Sequence, residues 1–292
     1  MSTPDLFPLP HWAVIALTGG QPKKLLQGQT TCDLRLLSPT QALPGLLCDL
    51  KGRVMASFVV IERAEDDLLL AMPHSTLSSF IAQLQPYLPF FRTQLQAETH
   101  WQVMGSLTPS ATSSAGFTVE QEANSIALHL PYQSPAQLHL RPQTTAISAS
   151  TEQQAAWQQA EIESGWLWIE AQHQAQFLPQ MLNFQALGAV SFKKGCYTGQ
   201  EIVARAQFRG QVKKRLYRLQ LADTTPLSEL GIFNAQGQEV GQLVSQMQDQ
   251  ALAVIKTQAA EEALFSQGSA PVSLLELPYD PHARHAWHGG EA

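Results

Sequence analysis

The sequence predicts an α+β fold that closes with a small C-terminal β-barrel. Strand-like runs and short helical segments alternate up to about residue 165. After residue 210 the texture changes to short strands punctuated by Gly and Pro, the pattern of a small barrel. A basic, glycine-rich segment lies between the two regions. A boundary at Gly210 gives residues 1–210 to the α+β region and 211–292 to the barrel.

Ala13 to Thr18 is a short apolar run closed by Gly19-Gly20 and predicts a strand. Pro22 suits a first helical turn, so Lys23 to Gln27 predicts a helix stopped by Gly28. Leu43 to Leu50 and Val54 to Glu62 flank Lys51-Gly52 as a hairpin. Leu68 to Met72 follows the acidic turn Glu65-Asp66-Asp67 as another strand. Leu77, Phe80, Ile81 and Leu84 repeat at helical spacing after a Ser75 cap, and Pro86 ends that helix. With further strands around Thr93 to Leu107, the order suggests a ferredoxin-like arrangement. Thr108 to Gly116, rich in Ser and Thr, predicts a surface loop. Ser125 to Leu130 and Gln137 to Leu140 predict strands, and Thr151 with Gln154 predicts a capping box for a helix through Ser164, terminated by Gly165. Barrel strands are expected at Val212–Leu221, Gly231–Asn234, Glu239–Gln246, Ala251–Lys256 and Val272–Glu276.

Composition restricts the function classes. The 292 residues are 44% hydrophobic but only 14% charged, against about 25% in ordinary soluble domains. The difference is filled by glutamine interspersed with apolar residues, which points to a folded chain with a weakly charged surface. No run of about 18 apolar residues occurs, and the N-terminus lacks signal-peptide features. Three cysteines without a paired framework fit a reducing compartment. A cytoplasmic protein without a membrane partner is the expectation. The net charge of -6 conceals one basic island, since Lys193 to Arg218 holds eight cations and one acid. Such an island suits an anion such as a folate glutamate tail, a phosphate or RNA, or else a strand edge protected from aggregation.

The chain contains no GxGxxG, Walker A, GxSxG or CxxC pattern, so nucleotide-fold, P-loop and serine-hydrolase chemistry lack support. Cys196 stands out within Lys193-Lys194-Gly195-Cys196-Tyr197-Thr198-Gly199-Gln200-Glu201. Flanking cations stabilise a thiolate and glycines permit close approach, so Cys196 is either a reactive thiol or a core cysteine. Cys32 and Cys48 sit among apolar residues and read as core. Trp12 and Trp157 are core residues or flat walls for a ring ligand. His282, His285 and His288 recur at three-residue spacing, but in a Pro- and Gly-bounded tail that argues against a metal site.

Gln176-Phe177-Leu178-Pro179-Gln180, Asn183, Gln185 to Gly188, and the run from Ser191 through Glu201 to Ala204-Arg205 and Phe208-Arg209-Gly210 closely resemble the YgfZ family of bacterial folate-binding tRNA-modifying proteins. Leu26 to Asp33 and Asp49 to Arg53 resemble the start of that family. The likeness implies an aminomethyltransferase-like fold, with interleaved subdomains and the barrel around a central channel that receives tetrahydrofolate or another folate. It implies folate contacts at Trp12 and Trp157. It also implies a functional motif of Lys194, Gly195, Cys196, Tyr197, Gly199, Gln200, Glu201 and Arg205, with Cys196 as the responsible thiol and no assigned metal. The family's association with iron–sulfur enzymes, including those that thiolate tRNA, implies an assembly or repair factor rather than an enzyme. The catalytic aspartate of the transferases has no clear counterpart, and a folate-dependent one-carbon transferase is the alternative. Lys193 to Arg218 is the candidate segment for direct contact with tRNA.

Overall fold

The computed structural model describes residues 5–108, 116–122, 124–143, 148–222, 224, 230–266 and 270–283. Most of the expected Thr108–Gly116 loop, and His285 and His288, lie outside the described residues.

The chain opens in β1 (Phe7–Pro8) and continues into β2 (Trp12–Thr18) and helix α1 (Pro22–Gln29). Then follow β3 (Leu43–Cys48), β4 (Val54–Ala64), β5 (Asp67–Pro73), α2 (Leu77–Leu84), the short α3 (Leu88–Phe91) and β6 (Gln94–Ala97). Strands β2 to β6 make one antiparallel sheet in the order β3-β4-β5-β2-β6. Both of its faces are covered over β2 to β5, which explains why those strands read as largely apolar runs, whereas the edge strand β6 exposes Gln94 and Gln96. Ile15, Leu17, Phe58 and Leu70 face α1 and α2, where Leu25, Leu26, Phe80 and Leu84 meet them. Val14, Ala16, Val59 and Leu69 alternate to the opposite face and enter a larger central core.

A second antiparallel sheet comprises β7 (Trp101–Ser106), β8 (Val119–Glu122), β9 (Ser125–Leu130) and β10 (Ala136–Pro142), joined by β1 in the order β1-β7-β10-β9-β8. The first strand of the chain therefore closes the edge of the second sheet, and the two layers are interleaved. Val103, Leu128, Leu138 and Leu140 of this sheet share the central core with helix α4 (Thr151–Glu163). Helix α5 (Gln200–Phe208) then precedes the barrel strands β11 (Lys214–Leu221), β12 (Gly231–Asn234), β13 (Glu239–Met247), β14 (Gln250–Lys256), β15 (Leu264–Phe265) and β16 (Pro271–Leu275). They close as β11-β14-β13-β12-β15-β16, and full closure removes the unpaired sheet edges. Alternating inward residues, among them Leu219, Leu243, Ala253 and Ile255, fill the interior.

The fold class and the five expected barrel strands agree with the sequence reading, the short β15 being a sixth that was not expected, and three local corrections apply. Helix α1 runs through Gly28 and stops at Thr30, whose extended backbone and Oγ1 bond to the Leu26 carbonyl (2.7 Å) end the helical ladder. Ser75 does not cap α2; its hydroxyl accepts the Ala171 amide at 3.2 Å. The α4 capping box lies one residue earlier than expected: Ser150 Oγ accepts the Gln153 amide at 3.2 Å and Gln153 Oε1 accepts the Ser150 amide at 3.0 Å. Thr151 is already helical, so it cannot be the cap. Gly165, at φ +65°, turns the chain out of the helix as expected.

Replacing Ser150 with Ala removes one side of that box and should lower stability by about 1 kcal/mol. Urea denaturation measures the change, and an unaltered midpoint would show that the cap contributes nothing.

Candidate functional site

The motif loop is fixed to the protein by its lysine. Lys194 is buried, and its Nζ donates to the carbonyls of Thr30 (2.6 Å) and Cys32 (2.7 Å). The same ammonium lies 5.2 Å from the centroid of the Tyr197 ring. Burial pulls its pKa down to about 8, partly offset by the neighbouring Cys32 and Asp33. The loop after α1 makes further bonds to the segment leading into the motif. Thr31 Oγ1 donates to the Ala189 carbonyl (2.5 Å), the Ser191 amide donates to the Thr31 carbonyl (2.9 Å), and Thr198 Oγ1 donates to Gln29 Oε1 (3.0 Å). The expectation that Lys194 flanks Cys196 as a thiolate-stabilising cation is therefore corrected. Its charge points inward to backbone carbonyls, and only Lys193 remains at the surface.

Cys196 is exposed, whereas Cys32 and Cys48 are buried and burial pushes both of their thiols up. Tyr197 returns to the interior, and its hydroxyl has no partner among the described residues. Gly199, at φ +82°, is the residue before α5, and a Cβ there would collide with the Asp49 carbonyl oxygen. Opposite it, a Cβ on Gly52 (φ +70°) would stand 3.1 Å from Ile202 Cβ and 3.2 Å from the Gly199 oxygen. The β3–β4 hairpin tip and the start of α5 thus meet backbone to backbone, which needs glycine on both sides. Gln200 opens α5, Glu201 and Arg205 pair across one turn at 3.1 Å, and Val203 is the buried contact of that helix. Gly195 and Cys196 are both exposed, so the motif presents its thiol between two anchors, Lys194 and Tyr197.

Trp12 and Trp157 are buried in the central core. Trp12 meets Trp168 edge-on at 4.8 Å. Trp168 Nε1 donates to the Tyr132 hydroxyl (2.7 Å), and the Tyr132 ring is 6.2 Å from that of Trp157. Trp166 joins the layer 5.0 Å from Trp168. Indole Nε1 donors of Trp12 and Trp166 are buried and find no partner among the described residues. Trp157 Nε1 donates to Glu161 Oε1 at 2.8 Å. Glu161 lies deep in the protein while keeping part of its surface accessible, and burial pushes its carboxyl up to about 8 against the lowering effect of the Trp157 bond. Glu161, Tyr132, Trp166 and Trp168 were not singled out in the sequence. The i, i+4 spacing of Trp157 and Glu161, and the Trp-Leu-Trp run after Gly165, were the available signals. Among the described residues no group of three or more His, Cys, Asp or Glu could hold a metal ion, and no helix is long and apolar enough to cross a membrane.

The architecture defines a class first. The crystal structure of glycine cleavage system aminomethyltransferase T from Bartonella henselae superposes with a TM-score of 0.73, covering 96% of this chain and 86% of that one at 13% identity. The fold is aminomethyltransferase-like. A family model described as the CAF17 C-terminal beta-barrel domain matches residues 213–279, the span that contains the closed barrel. The chain is 34% identical to tRNA-modifying protein YgfZ of Yersinia pestis (strain Pestoides F) over 73% of its length and 70% of that protein. The corresponding protein of Serratia proteamaculans (strain 568) is 32% identical over 74% of this chain and 70% of the relative. The chain belongs to the YgfZ family.

Two outcomes follow from this geometry. Gly199→Ala forces a left-handed backbone and a clash with Asp49, so it should cost about 1–3 kcal/mol in thermal or urea unfolding. Glu161 keeps its proton in the folded protein at pH values where the unfolded chain, near the ordinary 4.5, has lost it. Its contribution to stability is complete below pH 4.5 and disappears as the pH rises through about 8. Unfolding free energies of the wild type and Glu161→Gln should therefore diverge between those limits, and a pH-independent difference would refute the buried acid.

Proposed function

We propose that this protein is an accessory factor for tRNA modification that binds a folate in its aromatic interior and serves iron–sulfur enzymes through Cys196. The observation that carries the proposal is one exposed thiol on a loop anchored by a buried lysine, while both other cysteines are sealed in the core. A thiol held at a surface can be offered to a partner, because reaction requires access as well as nucleophilicity. The relatives' name, tRNA-modifying protein, supplies the process.

The interior residues suit a folate. A pteridine has a flat face, acceptor atoms and an amino group, and the aromatic layer offers matching groups. Nε1 donors of Trp12 and Trp166, without partners among the described residues, would meet ring acceptors, and the protonated Glu161 carboxyl would offer the ring both an acceptor oxygen and an O–H donor. Trp12 and Trp157, both buried, would bound the ring edges through their packing against Trp168 and Tyr132. Tetrahydrofolate, when bound, supplies a reduced pterin able to carry one-carbon units. Lys194 keeps the loop shape that exposes the thiol, and Tyr197 limits movement of that loop from the other side.

A second reading, a folate-dependent one-carbon transferase, is favoured by Glu161 alone, a deep carboxyl poised near neutral pH in an aminomethyltransferase-like fold. Incubation with methylene-tetrahydrofolate and amine acceptors distinguishes the two, since carbon transfer supports only the enzyme.

Cys196→Ser should abolish tRNA thiolation in cells that lack the wild-type protein, while folate affinity stays within about twofold. Trp12→Phe removes the indole donor together with part of the ring and should weaken folate binding about 5–10-fold or more, at least the equivalent of one hydrogen bond. Normal thiolation in the Cys196→Ser strain would eliminate the thiol's role. Unchanged affinity in Trp12→Phe would eliminate the proposed ring contact.

A further inference from the structure

The basic island does not act as one unit in three dimensions. Lys194 and Arg215 point inward, Arg215 to the carbonyls of Gln180 (3.3 Å) and Pro281 (2.7 Å), and Arg218 binds Gln250 on the barrel. What remains around Cys196 is a face assembled from three segments. Lys193 is exposed, and Arg35 reaches it with Nη2 3.3 Å from the Lys193 carbonyl. Lys51 is exposed at the hairpin tip, whose neighbour Gly52 packs on α5. Arg205 and Arg209 are exposed along and just after α5.

The carboxylates nearby are already engaged. Asp33 is held by Arg35 at 2.6 Å and 2.9 Å, which with Gln27 draws its pKa to about 2. Asp49 Oδ1 accepts the Lys51 and Arg53 amides, each at 2.8 Å, and Glu201 pairs with Arg205. Lys51, Lys193 and Arg209 have no ion pair among the described residues. The same face exposes apolar groups that a monomer would ordinarily cover. Leu50 is 84% exposed, and Phe208 is 59% exposed while resting edge-on against Phe192 at 5.3 Å.

We propose that this face binds a single-stranded or looped region of RNA, with the cations on its phosphates and Phe208 beneath an unstacked base. The proposal rests on the tRNA-modification reading and specifies its contact surface. Charge complementarity selects the partner: the chain carries -6 overall, yet this face gathers Arg35, Lys51, Lys193, Arg205 and Arg209 around the thiol. The exposed aromatic selects the form of RNA, because duplex bases are stacked and inaccessible whereas loop bases can stack on a side chain. An acidic protein surface would use the cations without needing Phe208. RNA seated here would lie beside the Cys196 thiol, which brings substrate and thiol to one surface.

The test uses the full-length protein and fluorescence anisotropy with a short stem-loop RNA and the blunt duplex of its stem. The stem-loop should bind at low salt, with affinity falling steeply as salt rises. The triple variant Lys51→Ala, Lys193→Ala, Arg209→Ala should bind about 10-fold or more weakly, with a salt slope shallower by about 2–3. Phe208→Ala should weaken the stem-loop about 5–10-fold and leave the duplex unchanged. All four positions are at the surface, and thermal melting controls for folding. No stem-loop binding at low salt, or equal binding by the triple variant, overturns the proposal. An equal effect of Phe208→Ala on loop and duplex overturns the base contact. No RNA binding by the unaltered protein alongside a functional requirement for Cys196 would reject this face while leaving the accessory role standing.

Discussion

Lys194 places a cation in the interior opposite two backbone carbonyls rather than a carboxylate. Removing an ammonium from water is costly, and without those two short bonds the charge could not remain there. Its depressed pKa expresses the balance, with desolvation only partly recovered. In exchange the loop between α1 and β3 is tied to the motif across more than 160 residues of sequence. Thr31 reinforces the same junction by bonding Ala189 and receiving the Leu46 amide at 2.9 Å. Exposure of Cys196 depends on this junction, because a thiol two residues beyond a buried anchor has little freedom to fold inward.

A second constraint acts at the hairpin. Gly52 and Gly199 bring the β3–β4 tip and the start of α5 into backbone contact, and any side chain at Gly199 would separate them. The helix that follows carries Arg205 and Phe208 outward and Val203 inward. One glycine pair therefore fixes the direction of the surface beside the thiol. The interior and the surface are consequently separate devices. Trp12, Trp157, Trp166 and Trp168 organise a buried aromatic layer, while the anchored loop organises an exposed thiol.

Much of the architecture was legible because local signals agreed with it. Both faces of the first sheet are buried over β2 to β5, so those strands are apolar runs that stand out in any window. The barrel strands were marked by alternation between turn residues. Helix α5 was not, because Gln200–Phe208 has only Val203 as a fully buried residue and its start is set by contact with the hairpin. The edge strand β8, with Val119 followed by Glu-Gln-Glu, lacks the apolar pattern, and the two-residue β15 is too short to carry one. The cap of α4 was missed by a single position because Ser150 and Thr151 are adjacent competent caps, and backbone geometry chose between them.

The sequence by itself determined the fold class, the motif and the distinction between one unusual cysteine and two apolar ones. These depend on local pattern and residue chemistry. Only the tertiary structure decided what each charged residue does. Adjacent lysines, Lys193 and Lys194, are equivalent in sequence, yet one is solvated and the other is buried against Thr30 and Cys32. Likewise Arg35 and Lys51 join the surface beside Cys196 although they lie more than 140 residues away. Electrostatic roles depend on distance and burial in space, and a linear count of charges contains neither.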